Sequence, residues 1–113
     1  MTNKAEIITG NSHTDERGTI NFIYDFHFKD IKRFYIVNHP DTTTVRAWQG
    51  HKIEKKHFYV TKGTFLICWV EIDNWDKPSD NLAVNKMILK ENGNKLLILP
   101  GGFANGIKAL EPD

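Results

Sequence analysis

The stretch VRAWQGHKIEKKHFYVTKG, Val45 to Gly63, holds an arginine, two histidines, a glutamate and a tyrosine. These residue types open three kinds of chemistry. His51 with Glu54 and a further donor could hold a transition metal, for which imidazole and carboxylate are common ligands. His51 alone could take and return a proton, because neutral imidazole titrates near physiological pH. Arg46 offers a planar fork of donors to a phosphate or to a developing enolate. The bland alternative is an amphipathic strand pair with basic decoration. On a strand, Gln49 and His51 share one face while Arg46, Trp48 and Gly50 share the other. Arg46 therefore joins Gln49 only if a twist or bulge re-aims it. Tyr35 and Tyr59 are the phenols available for a second proton transfer, and alternation does not choose between them.

The elements that must position these residues read as strands divided by polar turns. GTINFIYDF, KRFYIVNH, HFYVTKG, TFLICWVEI, LAVNKMILK, KLLILP and GGFANGIKAL are rich in β-branched, aromatic or alternating apolar residues. DERG and ENGN carry turn chemistry, and ENGN predicts a hairpin. The one helical candidate, His27 to Arg33, is short and uncapped. Strands at this spacing predict an all-β, antiparallel sandwich or barrel.

Composition bounds the function. A chain of 113 residues, 40% hydrophobic, makes one compact domain over residues 1–113 and is too short for two. Fifteen basic and fourteen acidic side chains leave a net charge of +1, so no strong field favours nucleic acid or an acidic membrane. Cys68 is the only cysteine. It excludes an internal disulfide and points to a buried thiol in a reducing, cytoplasmic setting. No apolar run is long enough to cross a bilayer as a helix, and the N-terminus lacks an apolar export region.

Five segments, DERGTI, IKRFYIV, VRAWQGHK, YVTKGTFLICWVEID and ILPGGFANGIKAL, carry a resemblance in order and separation. The chain resembles the small cupins that act on nucleotide sugars, the dTDP-4-dehydrorhamnose 3,5-epimerases and dTDP-sugar 3,4-ketoisomerases. The resemblance implies a cupin (double-stranded β-helix or jelly-roll) barrel, a homodimer, and a ligand in the barrel mouth. It further implies an isomerase acting on a dTDP-4-keto-6-deoxyhexose, whose ketone acidifies the neighbouring C–H bonds, with His51 as base and a phenol, Tyr35 or Tyr59, as acid. Gln49 stands where the epimerases carry their base, and an amide cannot accept and return a proton at neutral pH. The contrasting reading is a noncatalytic sugar-binding or assembly cupin. Arg17, Arg46, Lys52, Tyr59 and Asn105 are the expected substrate-binding residues.

Metal-binding cupins resemble a two-part pattern, His-x-His followed by Glu, then a histidine shortly after Pro-x-Gly. Here the parts read Gln49-x-His51 with Glu54, and Asn105 after PGG. Two of four donors are amides, poor ligands for zinc or iron, so neither metal nor other cofactor is expected. Other residues have simpler roles: Trp48 and Phe58 as core-filling aromatics, His57 beside Lys55 and Lys56 as a surface histidine, Trp75 as a loop residue. Family members continue for about two strands past the segment matching FANGIKAL. Without them a sheet edge and apolar surface are expected to be exposed, and the alternatives are a truncated chain, a frameshifted gene, or a dimer partner that covers the open edge.

Overall fold

The computed structural model describes residues 4–29, 31, 34 and 36–111. Among these residues the chain forms nine strands and no helix. A four-stranded antiparallel sheet runs β4 (Val45–His51), β9 (Phe103–Ala109), β6 (Thr64–Glu71), β7 (Asn85–Lys90) in spatial order. A three-stranded sheet runs β1 (Glu6–Thr9), β8 (Lys95–Leu99), β5 (Lys56–Phe58). A hairpin of β2 (Asn11–Asp15) and β3 (Gly18–Phe22) makes the third sheet.

Alternation decides which side chains meet between the two larger sheets. On β6, Ile67 and Trp69 turn inward and are buried, as does Leu89 of β7. They pack with Phe103 of β9 and with Leu97 and Leu99 of β8, so the core lies between the sheets. Leu96 and Ile98, on the opposite face of β8, are buried as well. A strand covered on both faces reads as a continuous apolar run, which is what LLIL is. Phe26 helps to cover that second face, its ring set edge-on to His57 at 5.4 Å, and His57 stands opposite Ile98.

Several sequence expectations change. ENGN is a turn but not a hairpin: β7 pairs with β6, while β8 pairs with β1 and β5. A run of four apolar residues needs cover on both faces, which a place at the sheet edge beside β7 would not supply. The left-handed positions in this turn are Asn92 (φ 63°) and Asn94 (φ 56°), on either side of Gly93. Two consecutive such residues would make a two-residue hairpin turn; split by Gly93, they carry the chain across to the second sheet. There Gly10 N donates to Asn94 O at 2.6 Å. In KRFYIVNH, Phe34 and residues 36–39 are not in a strand, and Lys32, Arg33 and Tyr35 lie outside the described residues. The described part of 27–33 is not helical. β1 is a strand that the sequence reading did not assign. No helix among the described residues is long and apolar enough to cross a membrane.

Candidate functional site

β4 carries the site because of an irregularity in its pairing with β9. Arg46 stands opposite Ile107 and Gln49 opposite Asn105, so Ala47 and Trp48 together face the single residue Gly106. This is a β-bulge, which places an extra residue on one strand and re-aims the side chains beyond it. Its consequence is that Arg46 and Gln49, of opposite parity along the strand, line the same cavity. Gly106 is required here by packing, since a Cβ at that position would lie 2.9 Å from the Ala47 Cβ.

The cavity has a volume of about 1450 Å³ and also receives Tyr59, Asn105, Glu54 and Lys56. Ligand pockets commonly occupy roughly 300–1,000 Å³, so this one has room for more than a single sugar ring. Asn105 is only 4% exposed. It sits between Gln49 on β4 and Trp69 on β6 in one cross-strand row. Tyr59, 42% exposed, stands at the rim.

Two further wall residues were not read from the sequence as parts of a site. Lys56, on β5, pairs with Leu99 of β8, so its side chain leaves the strand on the core side, and it is half-buried. The alternation of Lys56, Phe58 and Val60 was the available signal, masked by the run of charges before it. His39 also lines the cavity, with its ring edge-on to Phe65 at 5.3 Å. The loop after it is anchored by the Asp41 carboxylate, which accepts hydrogen bonds from the backbone N–H and hydroxyl groups of both Thr43 and Thr44. The Thr43 hydroxyl and amide, then the Thr44 hydroxyl, hold the Asp41 carboxyl below its ordinary range. That loop delivers the chain into β4.

The remaining expected site residues lie elsewhere. His51, half-buried at the end of β4, pairs with Phe103 and its carbonyl accepts from Gly102 N at 2.8 Å. His51 and the exposed Lys52 are not among the residues lining the cavity. Arg17 is at the β2–β3 turn, where its guanidinium pairs with Asp15 at 2.7 Å. That pairing, with the Arg17 amide, lowers the Asp15 carboxyl below its usual range. Tyr35 lies outside the described residues. The PGG turn is structural: Gly102, at φ 97°, joins β8 to β9, and its carbonyl accepts from Ile72 N. Among the described residues no three or more His, Cys, Asp or Glu side chains come together in a way that could hold a metal ion.

No protein-family model matches the sequence, and no curated protein does. Solved structures match in fold. The TDP-quinovose 3,4-ketoisomerase of Campylobacter jejuni aligns with TM-score 0.70 at 19% identity, over 96% of this chain and 77% of its own. The fold is that of the cupin-type jelly-roll barrel. A dTDP-4-dehydrorhamnose 3,5-epimerase of Bacillus anthracis, solved with TDP and pyrophosphate bound, gives TM-score 0.65 at 18% identity, covering 96% of this chain and 66% of its own. A dTDP-6-deoxy-D-glucose-3,5-epimerase of Legionella pneumophila, in complex with dTDP-4-keto-L-rhamnose, gives 0.66 at 21%, covering 96% and 61%. At these identities the likeness is one of fold. Within this barrel, β4 and β9 supply Arg46, Gln49, Asn105 and Ile107 to the cavity.

Proposed function

We propose that the cavity binds a nucleotide-linked deoxyhexose and that the chain is an isomerase-type cupin acting on a dTDP-4-keto-6-deoxyhexose. The observation that carries this reading is that Arg46 and Gln49, brought to one cavity by the β4 bulge, meet Asn105 and Tyr59 there. The enzymes of similar fold, which act on TDP-linked deoxysugars by their names, support the substrate class. In this reading Arg46 binds phosphate or the enolate oxygen, the two amides hold the sugar, and Tyr59 or Tyr35 returns a proton. His51, on the strand face of Gln49, is the base. No metal or other cofactor takes part.

A second reading has its own support. Gln49 and Asn105, which face each other across β4 and β9 at the cavity, are both amides, and His51 does not line it. That combination fits a noncatalytic cupin that binds the nucleotide sugar without turning it over.

One experiment separates them. The protein is incubated with dTDP-4-keto-6-deoxyglucose in deuterated water, and deuterium at C3 and C5 is followed by NMR. Incorporation that disappears in His51→Ala supports the isomerase with that base. Binding measured by calorimetry without incorporation supports the second reading, and absence of binding removes both. We also propose a homodimer, because β4 and β7 end the four-stranded sheet with unpaired outer edges among the described residues; a monomer in sedimentation at high concentration refutes it.

A further inference from the structure

β6 is apolar at nearly every position, TFLICWVE, and its residues Ile67 and Trp69 turn into the core. Alternation sends Leu66, Cys68 and Val70 to the outer face of the four-stranded sheet. There Ile88, Leu66, Lys108 and Val45 form one cross-strand row, and Cys68, Gly106 and the bulge residues Ala47 and Trp48 belong to the next. An antiparallel sheet commonly has one dry and one wet face, yet here the outer face is apolar too. On β8 the same pattern goes with burial on both sides, Leu96 to Leu99 all being buried. On the outer face of β6, Leu66 and Cys68 are only half-covered, and Val45 (58%), Trp48 (52%) and Ile88 (56%) are exposed beside them. Gly106 leaves a cleft of about 230 Å³ in this face, walled by Val45, Trp48, Leu66 and Cys68.

Charge is distributed unevenly along this face. Lys90 stands opposite Thr64 and Lys108 opposite Leu66, towards one end, with Lys86 opposite Cys68 nearer the middle. At the other end, about 20 Å further along the strands, the loop after β6 crosses the sheet. Trp75 of that loop lies over Gly50, 3.0 Å from where a Cβ there would stand, and the loop carries the exposed Asp73, Asp76 and Asp80. We infer that this face packs on the same face of a second copy of the chain, around a two-fold axis running across the strands. The inference rests on the reading of the chain as a homodimer, and places the main contact on the face between the open edges of β4 and β7. An isologous contact requires a self-complementary patch. An axis across the strands turns one copy end for end over the other, so that each acidic loop meets the lysine end of its partner; an axis along the strands would set like charges together. An anionic membrane fits less well, since the lysines would attract its headgroups while the loop carboxylates would be repelled. Aromatic side chains seated in desolvated pockets dominate such contacts, and Trp48, exposed beside the cleft, is the side chain that fills the cleft of the other copy.

Cys68 supplies a readout in the unaltered protein, because it lies on this face and is the only cysteine. Its reaction with a chromogenic disulfide reagent should slow as protein concentration rises, in step with the dimer fraction measured by sedimentation. Trp48→Glu and Ile88→Glu should each weaken dimerisation at least about tenfold and remove that concentration dependence. Thermal unfolding checks each variant, and Ile88→Glu, on β7 and away from the bulge, decides alone if Trp48→Glu does not fold. The double variant Lys90→Glu, Lys108→Glu and the double variant Asp76→Lys, Asp80→Lys should each dimerise poorly alone and pair with one another when mixed. A wild-type dimer that survives Ile88→Glu, a thiol that reacts equally fast at every concentration, or charge variants that do not pair overturns the face contact while leaving the homodimer standing. A wild-type monomer, with or without binding to phosphatidylglycerol vesicles, overturns the homodimer and the face contact together.

Discussion

Gly106→Ala tests the bulge that brings Arg46 and Gln49 to one cavity. The added Cβ would stand 2.9 Å from the Ala47 Cβ, and 3.6 Å from both the Ala47 Cα and the Arg46 carbonyl oxygen. Carbon atoms in good contact are about 3.5–4.0 Å apart, so the new methyl is too close to Ala47 by several tenths of an ångström or more. None of these atoms ends a flexible side chain, and relief requires the β4 backbone to move away from β9. Overpacking of this kind costs about 1–3 kcal/mol. The movement also displaces Arg46 and Gln49, so ligand affinity should fall together with stability. Ala47→Gly removes the opposing atom. The double variant Gly106→Ala, Ala47→Gly should therefore recover most of the loss, short of the roughly 0.5–1 kcal/mol that a strand glycine itself costs. Urea unfolding with an unchanged slope measures both differences. A single variant within about 0.5 kcal/mol of wild type, or a double variant no more stable than the single one, would refute the described packing of β4 against β9.

The other predictions concern the core, the loop and the strand face of β4. Leu97 is 0% exposed, so Leu97→Ala should destabilise the fold by about 2–5 kcal/mol in the same urea assay. The carboxyl of Asp41 titrates below its ordinary range because it is hydrogen-bonded as the anion. Its anchoring of the loop is thus complete above the ordinary aspartate range and is lost as pH falls through the lowered value. Asp41→Ala should remove amide protection at Thr43 and Thr44 at neutral pH, while the wild type should lose it only in strong acid; unchanged exchange in the variant counts against the anchor. Gln49→His places an imidazole in the cavity, and deuterium exchange into a bound 4-keto sugar should appear or increase with an ionisation near pH 6–7. A folded, ligand-binding variant without that change shows that position 49 does not reach the acidic carbon.

The fold was legible where apolar and β-rich runs are bounded by turn residues. TFLICWVE and FANGIKA are such runs, and both are strands within a residue or two of the expected bounds. Arg46 was legible only conditionally, since its place at the cavity depends on a bulge that no local propensity announces. Lys56 was hidden because a lysine among lysines reads as surface, whereas pairing with Leu99 turns it inward. The partner of KLLILP was hidden for a different reason. ENGN has hairpin composition, but the choice of sheet is made by burial of both faces of β8, a non-local requirement. Asn105 reaches the cavity from its place opposite Gln49 on β9, whereas Tyr59, just past the end of β5 and of opposite parity to Lys56 and Phe58, also lines it and was not selected by alternation.

The position of β8 has a bearing on how the protein is made. β8 lies between β1 and β5, and β1 ends at Thr9 while β8 begins at Lys95. A ribosome adding ~5–20 residues per second leaves β1 without its partner for on the order of 5–15 s after it emerges. Over that interval the backbone groups of Glu6–Thr9 and the side chains of Ile7 and Ile8 have no β8 to pair with, and the core lacks Leu97 and Leu99. Closing so long a loop adds entropy cost that local hairpins avoid. β1 is consequently among the last of the described strands to dock, and the nascent chain is most exposed to aggregation and to chaperone capture until β8 leaves the tunnel.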